Sequence, residues 1–407
     1  MKILILTDLL PLDLAGGAGT YVYSLSLGLI KRGHKITVIT RHFDNLAQEE
    51  KIEGMDIFRI SWGRALPIFR PWVFFLGIQN VLKKVEGNHL YDLVIFNQPF
   101  SAFCVSFSRG INSVRKIYNF HSSWVDEFAI KKGLVTVNGY SLLTGIKKIC
   151  FQPLLFIMAI MEKSVLKISH KVIVLSQFSR DRVIELHKIS PDKIKVIPYA
   201  VDCDKFYPAP DKNNLRRRLK LPEDKFILLT VRNLVPRMGI DNLILAFEEI
   251  VSRHPEAYLI VAGSGFMEDK LKNLAQKLKL ADKINFVGTL RNEELHNYYQ
   301  SADLFILPTK YLEGFGIVTL EAMASGLPVL GTPVGGTVEI LAKFDKNFLF
   351  EGTGQQSMAK KILEFLDNKP DMPQLAKCCR EFVLREYSQD KWLDSMEEIL
   401  IADNGNK

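Results

Sequence analysis

The amino-acid sequence predicts an α/β protein of two domains, each built on a doubly wound parallel sheet. A chain of 407 residues is long enough for two such domains. Short runs rich in Ile, Val and Phe alternate with helical patterns along the first half, which is typical of parallel βαβ units. The same alternation starts again after Pro198. Strands this apolar indicate sheets that are covered by helices on both faces.

The first half is predicted to contain strands at residues 2–7, 35–40, 56–60, 93–96, 116–120 and 171–175. A helix is predicted over residues 21–31, because apolar residues recur there at helical spacing and Gly33 follows. Residues 206–225 are polar and contain proline, which indicates a connection between the two domains.

The second half is predicted to contain strands at residues 226–231, 257–262, 283–286, 304–307, 329–330 and 348–350. Its helices are predicted at residues 240–253, 268–278, 292–301, 317–325 and 356–366. The stretch 391–401 is amphipathic and is predicted to be a further helix.

The formal charge of +8 is unevenly distributed along the chain. Residues 1–200 hold 26 Lys and Arg against 15 Asp and Glu, a net charge of +11, whereas the remainder holds 27 against 30, a net charge of −3. A basic half beside a near-neutral half indicates an anionic partner, which is nucleic acid, an anionic membrane surface or an anionic acceptor.

The five cysteines, at positions 104, 150, 203, 378 and 379, form no C-x-x-C pair and are odd in number. They argue against a disulfide framework or a zinc site and predict a reducing compartment. The apolar start of the chain, MKILIL, is short and soon followed by Asp8, so it is interpreted as a buried strand rather than a signal peptide. No apolar run approaches the roughly 18 residues that a membrane span needs.

The segment 313–321, EGFGIVTLE, is the most informative about function. Glu313 and Glu321 enclose two glycines and the start of a predicted helix, which begins near Gly316 or Ile317 and ends at residues 325–326. Free N–H groups at a helix start attract anions, and glycines let the backbone approach a ligand closely. A pyrophosphate there, with hydroxyls held by a carboxylate on each side, describes a bound nucleotide sugar. The alternative is a hinge with two solvated glutamates.

Six motifs lie in order along the chain. They are Gly16–Gly17 followed by RGHKITVI at 32–39, VIPYAVD at 196–202, LVPRMGID at 234–241, AGSG at 262–265, FVG at 286–288 and EGFGIVTLEAMASGLPVLGTPVGG at 313–336. Together these motifs resemble those of the retaining glycosyltransferases of family 4, which have the GT-B fold. The resemblance implies two Rossmann-like domains that face across a cleft. It places the acceptor-side domain at residues 1–200, with residues 385–407 packing back on it, and the nucleotide-sugar domain at residues 201–384.

The resemblance also implies a reaction and the residues that perform it. An α-linked nucleotide sugar, UDP- or GDP-linked, would donate its sugar with retention of configuration. His121, at the end of a predicted strand, and Glu313 would act as catalytic residues that orient the sugar, and Glu321 would hold the ribose. The alternative for His121 is a core histidine whose hydrogen bonds are satisfied within the protein. Gly314, Phe315, Gly316 and Ile317 would bind the diphosphate at the helix start. No D-x-D motif follows a suitable strand, so we expect no essential metal and no cofactor.

The glycines at positions 16 and 17 also bear on the ligand. They follow the first strand and open a helix, and the resemblance implies that Gly16 and Gly17 touch the donor phosphate through the backbone. The motif does not complete G-x-G-x-x-G, because Val22 stands at the last position, so an NAD-dependent oxidoreductase is not favoured. The alternative is a simple tight turn.

The base and ribose pocket is placed by analogy at the ends of two predicted strands. Gly265 follows one strand, and Val287 and Leu290 follow the other. Ordinary strand-end turns are nearly as compatible with these residues.

The chain departs from the family where the donor diphosphate is held. The family has Arg at the position of Asn233 and Lys at the position of Met238, whereas this chain has Arg232 and Arg237, each one residue earlier. A guanidinium suits phosphate, so one or both arginines would replace the missing cations. The alternatives are that both arginines are solvated, and that the chain is a weak or inactive binding subunit with a degraded donor site.

Two segments of the basic half combine aromatic or apolar residues with cations. The first contains Trp62, Arg64, Phe69, Arg70, Trp72, Phe74 and Phe75, and the second, residues 145–171, contains five lysines around the apolar stretch 154–161. They predict a protein that binds the inner, cytoplasmic face of the cell membrane peripherally, with a lipid-linked or saccharide acceptor. The alternative is an ordinary core helix with a solvated face. No nucleic-acid-binding motif is present.

Overall fold

The computed structural model describes residues 1–401 except 9, 11–16, 44–45, 62–69, 87–90, 133, 135–144 and 369. Within this range the chain forms two compact units. The first comprises Met1–Ile197 and Leu393–Lys407, and the second comprises Pro198–Trp392.

The described part of the first unit contains an eight-stranded sheet with the order β3-β4-β2-β1-β5-β6-β7-β8. All neighbours pair in parallel except β3 and β4, which form an antiparallel edge. The strands are β1 Lys2–Leu6, β2 Lys35–Arg41, β3 Glu49–Ile52, β4 Met55–Ile60, β5 Leu93–Phe96, β6 Arg115–Phe120, β7 Lys171–Val174 and β8 Ile194–Val196. The helices are α1 Gly17–Lys31, α2 Arg70–Glu86, α3 Pro99–Val105, α4 Trp124–Lys131, α5 Gly145–Ile168 and α6 Gln177–His187.

The second unit has a five-stranded parallel sheet with the order β11-β10-β9-β12-β13 among its described residues. The strands are β9 Phe226–Val231, β10 Ala257–Ala262, β11 Ile284–Gly288, β12 Leu304–Leu307 and β13 Val329–Gly331. The helices are α7 Lys212–Arg218, α8 Ile240–Arg253, α9 Glu268–Lys277, α10 Asn292–Ser301, α11 Ile317–Ala324, α12 Thr337–Asp345, α13 Gln355–Asn368 and α14 Met372–Glu386. Helix α15, Gln389–Ile401, begins in the last residues of the second unit and belongs to the first unit from Leu393 onward. The winding direction reverses between β9 and β12, and such reversals are where open α/β sheets bind their ligands.

The strands of both sheets are apolar because both of their faces are buried. The residues of β5 and β12 are fully buried, and the apolar faces of α8 and α13 close over the second sheet with Phe247 and Ile362 in its core. In the first unit the C-terminal residues pack on α1. A Cβ atom added at Gly28 would lie 2.4 Å from Leu393 Cδ2, and Arg32 Nη1 donates to Glu397 Oε2 at 2.6 Å.

The predicted α/β architecture with parallel sheets is confirmed, and three local predictions are corrected. Residues 348–350 form no strand, because a 3-10 turn at Lys346–Phe348 is followed by a single bridge from Leu349 to Gly331. The connection 206–225 contains α7, which Asp211 caps by accepting from the Asn214 N–H at 2.9 Å. The edge strand β3, with sequence EEKI, was missed because it has no apolar run.

None of the helices in the described part of the chain is long and apolar enough to cross a membrane.

Candidate active site

The candidate donor residues of the second unit lie at the carboxyl edge of its sheet. Arg232 directly follows β9, the loop 308–316 follows β12, and α11 begins at the end of that loop. Because the strands are parallel, these segments share one edge, at the reversal between β9 and β12.

Glu313 and Arg232 form a buried ion pair at this edge. Arg232 Nη2 donates to Glu313 Oε2, and their side chains are only 8% and 10% exposed. Arg232 Nη2 also donates to Thr309 Oγ1 at 2.9 Å, and Thr309 Oγ1 donates to Glu313 Oε2 at 3.2 Å. A buried carboxylate without a partner is strongly unfavourable, so the guanidinium makes an ionised Glu313 tolerable there. The carboxylate partner of Arg232 was not predicted, and whether Arg232 also binds phosphate stays a prediction.

The backbone of Glu313 is held by the loop that follows β13. Gly336 N–H donates to the Glu313 carbonyl at 2.9 Å. Gly335 has φ 61°, and a Cβ there would lie 1.9 Å from the same carbonyl oxygen. Only glycine permits this approach, so the GG pair of the motif fixes the main chain at Glu313.

Helix α11 begins after Gly316, as predicted. Gly316 is the N-cap residue with φ 95° and gives no side-chain cap. The Thr319 N–H donates to the Gly316 carbonyl at 2.9 Å, which leaves the N–H groups of Ile317 and Val318 as the candidates for an anion. A Cβ at Gly316 would lie 2.3 Å from Thr337 Oγ1. Thr337 and Thr319 are fully buried, and neither hydroxyl has a hydrogen-bond partner among the described residues.

Glu321 lies one turn inside α11 and is buried. Tyr299 Oη donates to Glu321 Oε2 at 2.7 Å. Burial raises the pKa of Glu321, while the Tyr299 hydrogen bond and the charges of Lys205 and Arg232 act in the opposite direction. Tyr299 was not predicted as a site residue, because α10, which carries it, shows only an ordinary amphipathic pattern in the sequence.

Asn233, Met238 and Arg237 have different surroundings at the start of α8. Asn233 is exposed, whereas Met238 is 5% exposed and belongs to the apolar core of the second unit. Arg237 is half-buried, and its Nη1 donates to the Leu312 carbonyl at 2.8 Å. Arg237 is therefore attached to the same loop that carries Glu313.

The loops after β10 and β11 are joined to each other. Gly263 N–H donates to the Gly288 carbonyl at 2.7 Å, and Thr289 Oγ1 donates to Ser264 Oγ at 2.7 Å. Gly265, Val287 and Leu290 are partly exposed beside these contacts. Their role in a base and ribose pocket stays a prediction.

In the first unit, His121 follows β6 at the carboxyl edge of the sheet. Its ring packs edge-on against Tyr21 of α1, with 4.9 Å between centroids. Burial lowers the pKa of His121 to about 4, so the imidazole is neutral at neutral pH, and its Nε2 has no partner among the described residues. Gly17 is exposed as the first residue of α1. Gly16 lies outside the described residues.

Two acidic residues near His121 were not predicted as functional. Asp8 follows β1, and burial raises its pKa to about 6, with Ser101 and Arg41 acting in the opposite direction. Glu162 of α5 is fully buried, accepts the Trp124 N–H at 3.0 Å and lies 3.2 Å from His187 Nε2. Glu162 therefore anchors the start of α4, three residues after His121. In the sequence, Asp8 could have been identified as a candidate site residue because it directly follows the first predicted strand.

The predicted membrane segments fall partly on described residues. Trp62, Arg64 and Phe69 lie outside them, as does the side chain of Arg70. Phe74 is buried in the core of the first unit, so it is not an interfacial residue. Trp72 is 64% exposed, and the described part of α5 exposes Leu154, Phe156, Ile157 and Ile160 together with Ile168 at its end.

No group of three His, Cys, Asp or Glu side chains among the described residues is arranged to hold a metal ion.

Sequence comparisons place the chain. The family profile described as Glycosyltransferase Family 4 matches residues 15–205, and the profile described as Glycosyl transferases group 1 matches residues 211–382. An uncharacterized glycosyltransferase of Methanocaldococcus jannaschii is 30% identical over 348 residues, which is 84% of this chain and 83% of that protein. The chain therefore belongs to the family 4 glycosyltransferases, and it is a glycosyltransferase.

A second relative and a solved structure extend the comparison. The GDP-mannose-dependent monoacylated α-(1-6)-phosphatidylinositol monomannoside mannosyltransferase of Corynebacterium glutamicum is 30% identical over 212 residues. That match covers 50% of this chain and only 55% of the relative. The sucrose-phosphate synthase structure from Thermosynechococcus elongatus has a TM-score of 0.82 and 23% identity, and the match covers 98% of each chain. The fold is GT-B.

Proposed function

We propose that the chain transfers a hexose from an α-linked nucleotide sugar, UDP- or GDP-linked, with retention of configuration. The observation that carries the proposal is the edge of the second sheet. There Glu313 and Glu321 lie on either side of a helix start that has no side-chain cap. The diphosphate accepts hydrogen bonds from the N–H groups after Gly316. Glu321 binds the ribose hydroxyls, and Glu313 orients the sugar.

In the proposed reaction the bond between the anomeric carbon and the diphosphate oxygen breaks. A bond to the acceptor oxygen forms on the same face of the sugar. The acceptor hydroxyl gives its proton to the departing diphosphate, so no side chain is needed as the base. Cations and the dipole of α11 stabilise the charge that grows on the leaving group, and we propose that no metal ion is needed.

His121 is proposed to contact the reacting sugar as a neutral hydrogen-bonding group. Its lowered pKa, about 4, supports this role because a protonated ring would repel the cationic character that develops at the anomeric carbon. Tyr21 supports one side of the ring.

We propose a lipid-linked or glycan acceptor and a peripheral position on the inner membrane face, in glycolipid or cell-surface polysaccharide synthesis. Support comes from the apolar surface of α5, defined as Leu154, Phe156, Ile157 and Ile160, within the half of the chain that carries a net charge of +11. The relative from C. glutamicum, named for a phosphatidylinositol mannoside acceptor, is consistent with it. Apolar side chains beside cations bind anionic bilayers.

The membrane proposal has a matched test. Phe156 and Phe266 are both 68% exposed, but Phe266 lies in the second unit. Replacing Phe156 and Ile157 by Ser should reduce sedimentation with phosphatidylglycerol vesicles, whereas Phe266→Ser should not. Binding should also weaken between 0.05 and 0.5 M salt, roughly as exposed charges are screened over ~10 Å at 0.1 M. Equal sedimentation of all variants would contradict a role for this surface.

One observation favours a second candidate, a binding subunit without transferase activity. Met238 is buried and Asn233 carries no charge, so neither family cation is present at its usual position. A thermal-shift screen of UDP- and GDP-sugars, followed by a donor hydrolysis assay, separates the candidates. Transferase function predicts stabilisation and release of sugar. Stabilisation without any release, with every acceptor lipid added, would favour the binding subunit.

A further inference from the structure

The second unit lacks cations at the two positions where its family carries them. A lysine that projects from position 238 into the site is replaced by Met238, which packs in the apolar core with Leu234 and Ile240. Arg232 fills the gap only in part, because its Nη2 already donates to Glu313 and Thr309 and its side chain is only 8% exposed. Another cation has to meet the charge of the leaving group.

Lys310 lies beside the main chain on either side of Met238. It follows β12 by three residues, and its N–H donates to the Arg237 carbonyl at 2.8 Å. A Cβ added at Gly239 would lie 3.2 Å from Lys310 Cγ. The side chain of Lys310 therefore crosses the backbone at Gly239, the residue that follows Met238.

The ammonium group of Lys310 is held at the first turn of α8. Its Nζ lies 2.7 Å from Asp241 Oδ2, and the two side chains are 15% and 29% exposed. The other carboxylate oxygen of Asp241 is buried and has no hydrogen-bond partner among the described residues. Asp241 thus holds Lys310 through one oxygen, a contact that an arriving phosphate can share.

Charge at this edge favours an anion. Arg232, Arg237 and Lys310 face two carboxylates, Glu313 and Asp241, and Arg237 donates to a backbone carbonyl rather than to a carboxylate. Among the described residues, Arg232 and Lys310 are each paired with a carboxylate, whereas Arg237 is in no ion pair and is attached to the loop that leads to α11. A diphosphate prefers such a place because charge-assisted hydrogen bonds are stronger than neutral ones.

We propose that Lys310, with Arg237, supplies the cations that bind the donor diphosphate in place of the absent residues at 233 and 238, and that Asp241 positions Lys310. This inference rests on the proposed function. Lys310 lies in the loop 308–316, outside the segment 233–238 where the sequence departs from the family.

The test compares binding of UDP and GDP with binding of uridine and guanosine by titration calorimetry. Lys310→Met should weaken binding of the preferred nucleoside diphosphate by about 10- to 100-fold, the usual range for a lost charge-assisted hydrogen bond, and leave the nucleoside within about twofold. Lys310→Arg should bind the diphosphate within about fivefold of the unsubstituted chain, because the charge is kept. Asp241→Asn should weaken diphosphate binding a few-fold, less than Lys310→Met, because the ammonium group of Lys310 is kept but is no longer held in place by a carboxylate.

Lys212 provides the matched control. Its Nζ pairs with Asp303 at 3.0 Å at the amino edge of the same sheet, so Lys212→Met removes a similar ion pair away from the site. It should leave both affinities unchanged. A Lys310→Met variant that binds the diphosphate like the unsubstituted chain would overturn the inference. So would an equal loss of diphosphate and nucleoside, which indicates a structural role. If the unsubstituted chain binds neither UDP nor GDP, the proposed function itself fails and the inference fails with it.

Discussion

The ion pair between Arg232 and Glu313 gives the sharpest prediction about the architecture of the site. Arg232→Met leaves the Glu313 carboxylate in place, one-tenth exposed, with only the Thr309 hydroxyl as a partner. Breaking a buried pair from one side costs about 3–5 kcal/mol, because the remaining charge stays desolvated. A solvated arginine would cost less than about 0.5 kcal/mol. A buried ion pair and a solvated arginine therefore predict losses of stability that differ several-fold.

The second arm of the experiment is the double substitution. Glu313→Gln alone leaves a buried guanidinium, whereas Arg232→Met with Glu313→Gln removes both charges. We expect the double variant to be more stable than Arg232→Met alone, with a coupling energy of about 2–3 kcal/mol between the two positions. Because the chain has two units, the readout must be local. Hydrogen exchange of the amides in β9 and β12, followed in increasing urea, reports the opening of the sheet edge that carries both residues.

If the losses of stability in Arg232→Met and Glu313→Gln simply add in the double variant, the two side chains do not interact, which would contradict the ion pair. A loss of nucleoside diphosphate affinity in Arg232→Met with unchanged exchange in β9 and β12 would do so as well, because Arg232 would then serve phosphate rather than Glu313. Asn242→Ala is a suitable control, since the Asn242 amide donates to the Thr353 carbonyl at 2.7 Å elsewhere in the same unit.

Three further predictions concern the two glutamates and the strand ends of the first unit. Glu321→Ala should weaken binding of the nucleoside by about 1.5–3 kcal/mol, the range for a hydrogen bond to a charged group, whereas Glu313→Gln should lower turnover and leave nucleotide affinity unchanged. Calorimetry measures the affinities and initial rates measure the turnover. If affinity and turnover fall together in both variants, the two glutamates do not have these separate roles. His121→Ala should cut transfer by about 10²-fold, as for a positioned catalytic side chain, with donor affinity nearly kept, and near-native turnover would assign His121 to packing alone. Asp8 has a folded pKa of about 6 against an ordinary 3.8, so the folded state binds the extra proton between these values and stability falls as pH rises through that window. Asp8→Asn should thus raise the free energy of unfolding by about 2–3 kcal/mol at pH 7.5 and have little effect below pH 4. Urea titrations at both pH values measure the free energy of unfolding. An unchanged value at pH 7.5 would show that the Asp8 carboxyl is not desolvated.

The sequence predicted the sheets well because their strands are continuous apolar runs, and such runs have few alternatives in an α/β chain. The start of α11 was predicted from the glycines between Glu313 and Glu321, and the structure explains Gly316 by its positive φ of 95° at the N-cap. These are local signals. The strand β3 and the helix α7 escaped because their residues are charged and half-exposed.

The partners of the site residues could not be predicted in the same way. Arg232 meets Glu313 from 81 residues away, Lys310 meets Asp241 from 69, and Tyr299 meets Glu321 from 22. The first two contacts depend on the order of strands in the sheet, which brings β9 beside β12, and the third depends on the packing of α10 against α11. Nothing in the local sequence of one partner identifies the other. The pairing of Arg232 with Glu313 could not be predicted from either segment alone, and the role of Arg232 as a phosphate ligand stays a prediction.

The central claim is that this edge of the second unit activates a nucleotide sugar for transfer with retention. The most direct measurement is proton NMR of the sugar released from an α-linked UDP- or GDP-hexose when water replaces the acceptor, recorded faster than the anomers interconvert. The account predicts that the α-anomer appears first, with release strongly reduced in Glu313→Gln. Initial release of the β-anomer would contradict retention, and no release together with no binding of any nucleoside diphosphate would contradict the assignment of the site.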